Sequence, residues 1–294
     1  MSFDYRGKVI AITGGAGGIA AAFIRPAARL GASIAVIDIR GDRADAVAAA
    51  LPGSGHRGYA CDLTDEAQVA ALLDHIEVDY GRIDVLINNV GMTSSERFDE
   101  RSVDSIRIEL NVNLLSPLIL TRLALPLLRN SADPRVVTTV SLGGIFPLGE
   151  TPLYTASKFG LRGAMLAIGL DLAAKGITVG SVLPSATDTR MLRQEAIDGG
   201  NSLQFQDSPQ PPEAVAHAMM RLLDRPRLEI YPRVSESLLV RVAMLVPNLL
   251  PRLMTLFRRR GEKGVARYLA RLEHDGLVMR RDGRLELVEE PVSP

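Results

Sequence analysis

The chain has 294 residues with 34 basic and 34 acidic side chains, enough for one large α/β domain and an appendage, and its neutrality offers no electrostatic footprint for nucleic acid. Cys61 is the only cysteine, which excludes an intramolecular disulfide framework and suits a reducing cytoplasm. The opening residues Met1-Ser2-Phe3-Asp4-Tyr5-Arg6 lack the apolar run of a secretory signal, so a cytoplasmic location is expected.

Residues 9–12, Val-Ile-Ala-Ile, form a short apolar β-branched run and read as a buried strand. Gly14, Gly15, Ala16, Gly17 and Gly18 follow, and the periodicity then predicts a helix from Ile19 over 19–30. Strand, glycine turn and helix together are the context of a dinucleotide fingerprint. Glycines let the backbone approach a pyrophosphate, and the helix N-terminus offers it free N–H groups. The next strand, 33–38, ends in Asp38, about 20 residues after the turn, where a carboxylate accepts from adenosine ribose hydroxyls. A helix cap is the competing role for Asp38. A carboxylate there repels a 2′-phosphate, and neither Ile39 nor Gly15 is basic, so NAD is expected over NADP.

Further strands are expected over 58–61, 85–88, 136–140, 178–183 and 227–231, with helices over 65–80, 103–129, 154–175 and 213–223. Their alternation predicts a parallel sheet with right-handed crossovers. Tyr154 and Lys158 are four residues apart and so share one helix face. An ammonium beside a phenol favours the phenolate, which suits Tyr154 for acid/base work near neutrality. A nucleophilic Ser141 would need a neighbouring histidine, but His56, His75, His217 and His274 match no such element and no G-x-S-x-G surrounds it. No His/Cys cluster has ligand spacing, so no metal is expected.

Taken in order, these features resemble the short-chain dehydrogenase/reductase family, with its T-G-x-x-x-G-x-G turn and Y-x-x-x-K, over about residues 5–231. Asp62 and Leu63 resemble its adenine-contacting pair, Asn88-Asn89-Val90-Gly91 its N-N-A-G segment, and Asn113 the asparagine of its catalytic set. Ser141 lies thirteen residues before Tyr154, the family gap, and Pro184-Ser185-Ala186-Thr187-Asp188-Thr189 resembles the segment that meets the nicotinamide amide. Ala20, Val90 and Ser185 depart from the pattern, in place of glycine, alanine and glycine, without emptying a catalytic position.

The resemblance implies a single Rossmann-type, doubly wound sheet of seven parallel strands in order 3-2-1-4-5-6-7, with helices on both faces. It implies a catalytic set of Asn113, Ser141, Tyr154 and Lys158. Cofactor contacts are implied for Gly14, Ala16, Gly17, Gly18, Ile19, Asp38, Ile39, Asp62, Leu63, Asn89, Val90, Gly91, Tyr154, Lys158, Pro184, Ser185, Thr187 and Thr189. It places the substrate among Met92, Gly143, Ile145, Phe146, Leu148, Met191, Leu192 and Phe205. These residues suggest a bulky apolar alcohol or ketone, of a steroid-like, aromatic or long-chain kind. The implied activity is an NAD-dependent alcohol dehydrogenase or ketone reductase, in a homodimer or homotetramer built through the two long helices. A 3-oxoacyl or 3-hydroxyacyl thioester substrate is the alternative. A non-catalytic dinucleotide-binding scaffold is disfavoured by the filled catalytic set.

Residues 1–234 are thus expected to form the Rossmann catalytic domain and 235–294 a mainly helical extension. That extension is dense in leucine and valine, yet no uncharged run approaches the roughly 20 residues that span a bilayer. On one helical wheel Arg241, Asn248, Arg252, Thr255 and Arg259 form a stripe, and Arg258-Arg259-Arg260 follows. Three readings stand: a segment lying in an anionic membrane interface, a flap over the substrate, or an arm packed on the core or a partner subunit. Pro247 and Pro251 favour a bent arm.

Overall fold

The computed structural model describes residues 2–288, so Met1 and residues 289–294, the outer ends of the two expected domains, lie outside the described residues. Its centre is a parallel sheet of β1 (Val9–Thr13), β2 (Ser33–Asp38), β3 (Arg57–Ala60), β4 (Val85–Asn88), β5 (Arg135–Thr139), β6 (Thr178–Val182) and β7 (Glu229–Ile230). The spatial order is β3-β2-β1-β4-β5-β6-β7, as the family resemblance implies. β1 and β4 are buried throughout because helices cover both faces, which is why they read as unbroken apolar runs. The edge strands depart most from that pattern: β3 is half exposed and β7 shrinks to two residues.

The helices in chain order are α1 (Gly18–Arg29), α2 (Gly41–Ala49), α3 (Glu66–Tyr80), α4 (Val103–Leu110), α5 (Ser116–Leu123), α6 (Leu125–Arg129), α7 (Pro152–Ala173), α8 (Arg190–Ile197) and α9 (Pro212–Asp224). α1, α2 and α9 cover one face of the sheet with Phe23, Ile24, Ala44, Val215 and Met219. α3, α5, α6 and α7 cover the other with Val69, Ile76, Leu120, Leu128 and Met165. α3 begins after Asp65, whose carboxylate accepts from the Ala67 and Gln68 N–H groups.

The single helix expected over 103–129 is broken. A π-helical turn, Asn111–Leu115, separates α4 from α5, and the Ser116 N–H reaches back to the Asn111 carbonyl. Pro117 has no N–H to give Asn113, and Pro126 has none to give Arg122, so the regular ladder fails at both places.

Beyond the sheet lie α10 (Val234–Ala243) and α11 (Leu250–His274), joined through a 3₁₀ turn, Pro247–Leu249. A hairpin follows, β8 (Val278–Arg281) and β9 (Arg284–Leu287), turning on Asp282 (φ 49°) and Gly283 (φ 80°). The helical break separates Arg241 from Arg252, Thr255 and Arg259, so the continuous polar stripe of a single helix does not exist. Arg241 instead stacks on the Tyr231 ring, 4.1 Å from its centroid.

A third, smaller core fastens this tail: Leu192 and Ala196 of α8, Phe205, Tyr268 and Leu272 of α11, and Val278. Gly261 and Gly264 allow the approach, since a Cβ at Gly264 would collide with the Phe205 carbonyl. Asp188 completes the joint. Its carboxylate takes Arg193 Nε at 2.8 Å, the Tyr268 hydroxyl at 2.7 Å and Arg271 Nη2 at 2.6 Å.

Glu195 of α8 sits close to this joint and is 4% exposed. Burial pushes its carboxyl from 4.5 up to about 7, and Glu109 and Glu150 push the same way. Its Oε1 accepts from Asn201 N at 3.2 Å and Gln204 Nε2 at 2.6 Å. The folded pKa lies above the unfolded one, so its contribution to stability is complete below the ordinary carboxylate range and is lost as pH rises through about 7. Glu195→Gln keeps an acceptor oxygen for both partners. It is expected to raise the thermal midpoint by several degrees at about pH 8 and to change it little at about pH 5. Equal midpoints at both pH values in a thermal melt would contradict this.

Candidate active site

β1 runs into Gly14, whose φ of 61° turns the chain towards α1. The N-cap of α1 is Gly17, and no side chain caps it, which leaves the first-turn N–H groups without a side-chain acceptor. A Cβ at Gly15 would sit 2.5 Å from Val36 Cγ1, and one at Gly17 3.1 Å from the Gly14 carbonyl oxygen, so this turn is bare backbone by necessity. Ala16 and Ile19 flank it half-buried. Asp38 ends β2 beside it: Oδ2 accepts from Ala16 N and Oδ1 from Arg40 N, each at 3.2 Å. Ile39 is largely exposed. Both carboxylate oxygens retain capacity for a further donor.

Across the switch in strand order, the Thr13 hydroxyl accepts from Asn89 N at 2.9 Å and Val90 N at 3.2 Å. Asn89 donates through Nδ2 to the Thr13 carbonyl and accepts from Thr139 Oγ1. The segment after β4 is therefore clamped to the glycine turn, with Val90 packed on Gly14. Asp62 accepts from both the N–H and the hydroxyl of Thr64, next to buried Leu63. After β6, Pro184 is buried, Thr187 donates to the Ser185 carbonyl, and Thr189 caps α8 through Leu192 N.

Asn113 is fully buried in the π-helical turn. Its amide grips the Met92 backbone twice, accepting from the N–H and donating to the carbonyl, each at 2.8 Å. Lys158 is 3% exposed and donates to the Thr139 carbonyl at 3.3 Å. Gly91 lies where both meet, since a Cβ there would be 3.5 Å from Lys158 Nζ and 3.6 Å from Asn113 Oδ1. Ser141 follows β5 and accepts from Gly143 N at 3.0 Å. A Cβ at Gly143 would be 3.1 Å from Tyr154 Cε1 and 3.3 Å from Ser141 Oγ, so a glycine here lets the tyrosine approach. Lys158 Nζ is 5.6 Å from the Tyr154 ring centroid. The fold thus gathers Asn113, Ser141, Tyr154 and Lys158 from α4–α5, β5 and α7.

The electrostatics differ from the sequence expectation of a phenol made acidic by its lysine. Burial pushes the Tyr154 phenol up to about 12 against a downward pull from the Ser141 hydroxyl, and burial lowers Lys158 to about 8. In the protein alone Tyr154 is therefore a proton carrier at neutral pH.

Beside these groups is a cavity of about 430 Å³ with Ser141, Leu142 and Gly143 in its lining. Phe146, Leu148 and Leu203 wall it, as do Leu239, Val240, Met254 and Phe257 of the tail. Of the residues expected around substrate, Gly143, Phe146 and Leu148 line it. Five do not. Met92 is held by Asn113, and Ile145 packs under the sheet. Met191 lies on α8, while Leu192 and Phe205 are spent in the third core. The tail's share of the wall agrees with one of the three readings of the extension, the flap over the substrate, although the sequence named no tail residue as lining it. The density of leucine and valine over 235–260 was its signal, but only the break between α10 and α11 turns it over the cavity.

The family description "short chain dehydrogenase" matches residues 8–198, which hold the glycine turn, Asn113, Ser141, Tyr154 and Lys158. The chain belongs to this family. Among curated members it is 32% identical over 203 residues to D-threitol dehydrogenase of Mycolicibacterium smegmatis, covering 68% of this chain and 78% of that one. It is 30% identical over 194 residues to 3β-hydroxysteroid dehydrogenase of Mediterraneibacter gnavus, covering 65% and 70%. Its fold matches that of a short-chain dehydrogenase/reductase from Burkholderia phymatum in complex with NAD, with a TM-score of 0.75, 24% identity and coverage of 84% of this chain and 96% of that one. Members of the family thus act on substrates as different as a small sugar alcohol and a steroid, so membership leaves the substrate to the cavity wall.

Proposed function

We propose that this chain is an NAD(H)-dependent dehydrogenase or reductase that interconverts a secondary alcohol and a ketone with a bulky apolar body. The reading is carried by one juxtaposition: Ser141 and Gly143, against which Tyr154 packs, line a largely apolar cavity. Residues 1–234 would supply cofactor binding and chemistry, and the tail from 235 onward would close the substrate site. Assembly would use α4, the π-helical turn after it, α5 and α7, where Ile108, Leu115, Leu123, Phe159 and Leu170 are exposed.

The bare glycine turn, the uncapped α1 N-terminus and Asp38 fit a dinucleotide: amides for its pyrophosphate and a carboxylate for a ribose diol. A bound nicotinamide would supply or accept the hydride. Ser141 would hold the substrate oxygen, and Tyr154 would give it a proton in the reductive direction. Lys158, an ammonium below about pH 8, would orient the ribose and favour the phenolate in the oxidative direction. Asn113 would fix the floor through Met92.

Absorbance at the reduced-nicotinamide band, read with a panel of lipophilic alcohols and ketones, tests the assignment. Tyr154→Phe is expected to lower kcat at least about a hundredfold while leaving NAD affinity within about twofold. Oxidation requires the ionised phenol, so its rate should climb through the alkaline range, while reduction stays flat around neutrality. A near-normal rate in the phenylalanine variant, or oxidation that falls as pH rises, would refute the roles given to Tyr154.

Asp38 is expected to set cofactor choice. The wild type should prefer NAD, and Asp38→Ala with Ile39→Arg should shift kcat/KM towards NADP by at least about tenfold, because a repelling carboxylate is exchanged for a guanidinium. Equal efficiency of the wild type with both cofactors would refute it.

A further inference from the structure

We propose that α10 and the turn after it form a docking surface for an anionic lipid bilayer, set over the mouth of the substrate cavity. An ordinary surface helix buries one apolar face. α10 does the reverse: Ser237 is its one buried residue, while Val234 is 70% exposed and Leu238 60%. The apolar surface continues into the turn, with Leu245 79% exposed, Val246 51% and Leu249 44%. Exposed apolar patches of this kind mark a contact. Leu239 and Val242 belong to both surfaces, for each lines the cavity and is more than half exposed. The edge of the cavity that α10 supplies through Leu239 and Val242 is therefore hydrocarbon.

The surrounding charge selects the occupant. Between residues 234 and 262 the chain has Arg241, Arg252, Arg258, Arg259 and Arg260 against Glu236 and Glu262, and of these Arg258 pairs with Glu150 and Glu262, Arg260 pairs with Asp207 and Arg241 stacks on Tyr231. Arg252 and Arg259 are exposed on α11, next along the chain. A second copy related by a twofold axis would bring this basic rim against itself, because an isologous contact pairs a patch with its own likeness. A bilayer with anionic headgroups meets hydrocarbon with hydrocarbon and arginine with phosphate. No helix among the described residues is long and apolar enough to cross a membrane, so the contact is one of lying on the surface. A substrate dissolved in the bilayer would then enter the cavity without crossing water. This entry of substrate rests on the proposed function, whereas the docking does not.

The test is co-sedimentation of the full chain with vesicles of phosphatidylcholine alone and of phosphatidylcholine with phosphatidylglycerol. Binding is expected to the anionic vesicles, weakened at least about fivefold when salt shortens the Debye length to about 3 Å. Leu238→Glu with Leu245→Glu and Val246→Glu should reduce it at least about tenfold, and Arg252→Glu with Arg259→Glu should reduce it independently. The glutamate substitutions lie at exposed positions outside the cavity lining, so circular dichroism and turnover of a water-soluble alcohol should be unchanged. Three results would overturn the proposal: no vesicle binding, binding that survives both variants, or a change of oligomeric state by light scattering in the leucine variant, which would assign the patch to a second copy. Docking without turnover on any alcohol or ketone would leave the proposal standing and sink the catalytic reading instead.

Discussion

Parallel pairing of β1 with both β2 and β4 is the constraint from which the site follows. Parallel neighbours cannot be joined by a hairpin, so every connection crosses a face of the sheet and brings a helix with it. Because the chain builds outward from β1 in one direction and then from β4 in the other, the crossovers diverge where these strands meet. A crevice is left at their carboxyl ends. Thr13 stands at that point, and its hydroxyl joins the two halves by accepting from Asn89 and Val90.

Around this crevice the buried Asn113 and Lys158 side chains are hydrogen-bonded. Asn113 closes two hydrogen bonds to the Met92 backbone from within a distorted helix, and Lys158 donates a hydrogen bond to the Thr139 carbonyl. Burying these groups without partners would cost several kcal/mol in total, so their geometry is tightly determined. The same burial raises the Tyr154 phenol and lowers the Lys158 ammonium, which separates proton donor and cation by environment.

The tail is tied to the site by different means. The third core and the Asp188 carboxylate hold the C-terminal half of α11, while α10 and the start of α11 are left over the cavity with little buried surface of their own. Anchored at one end and lightly packed at the other, the tail combines a fixed base with a wall that is partly exposed to solvent.

Local chemistry was enough to reveal much of this in the sequence. The β-branched runs gave the central strands because those strands are buried on both faces, and 33–38 and 85–88 were legible to the residue. The glycine turn, Asp38 and the Tyr154–Lys158 spacing were legible because backbone clearance and helical period are local properties. The family pattern added Ser141 and Asn113. The Asp282-Gly283 hairpin signal was present but unread beside the helical tail. Pro117 and Pro126, which break the 103–129 helix, were local signals left unread as well. Other features belong to the tertiary structure alone. Leu192 and Phe205 look like substrate-pocket residues until α11 arrives to bury them. The pKa of Tyr154 depends on how deeply it is covered, and the cavity wall depends on residues about a hundred positions away in the chain. Spacing along the chain fixes what neighbours in sequence can do, while burial and long-range contact fix which of those capacities meet.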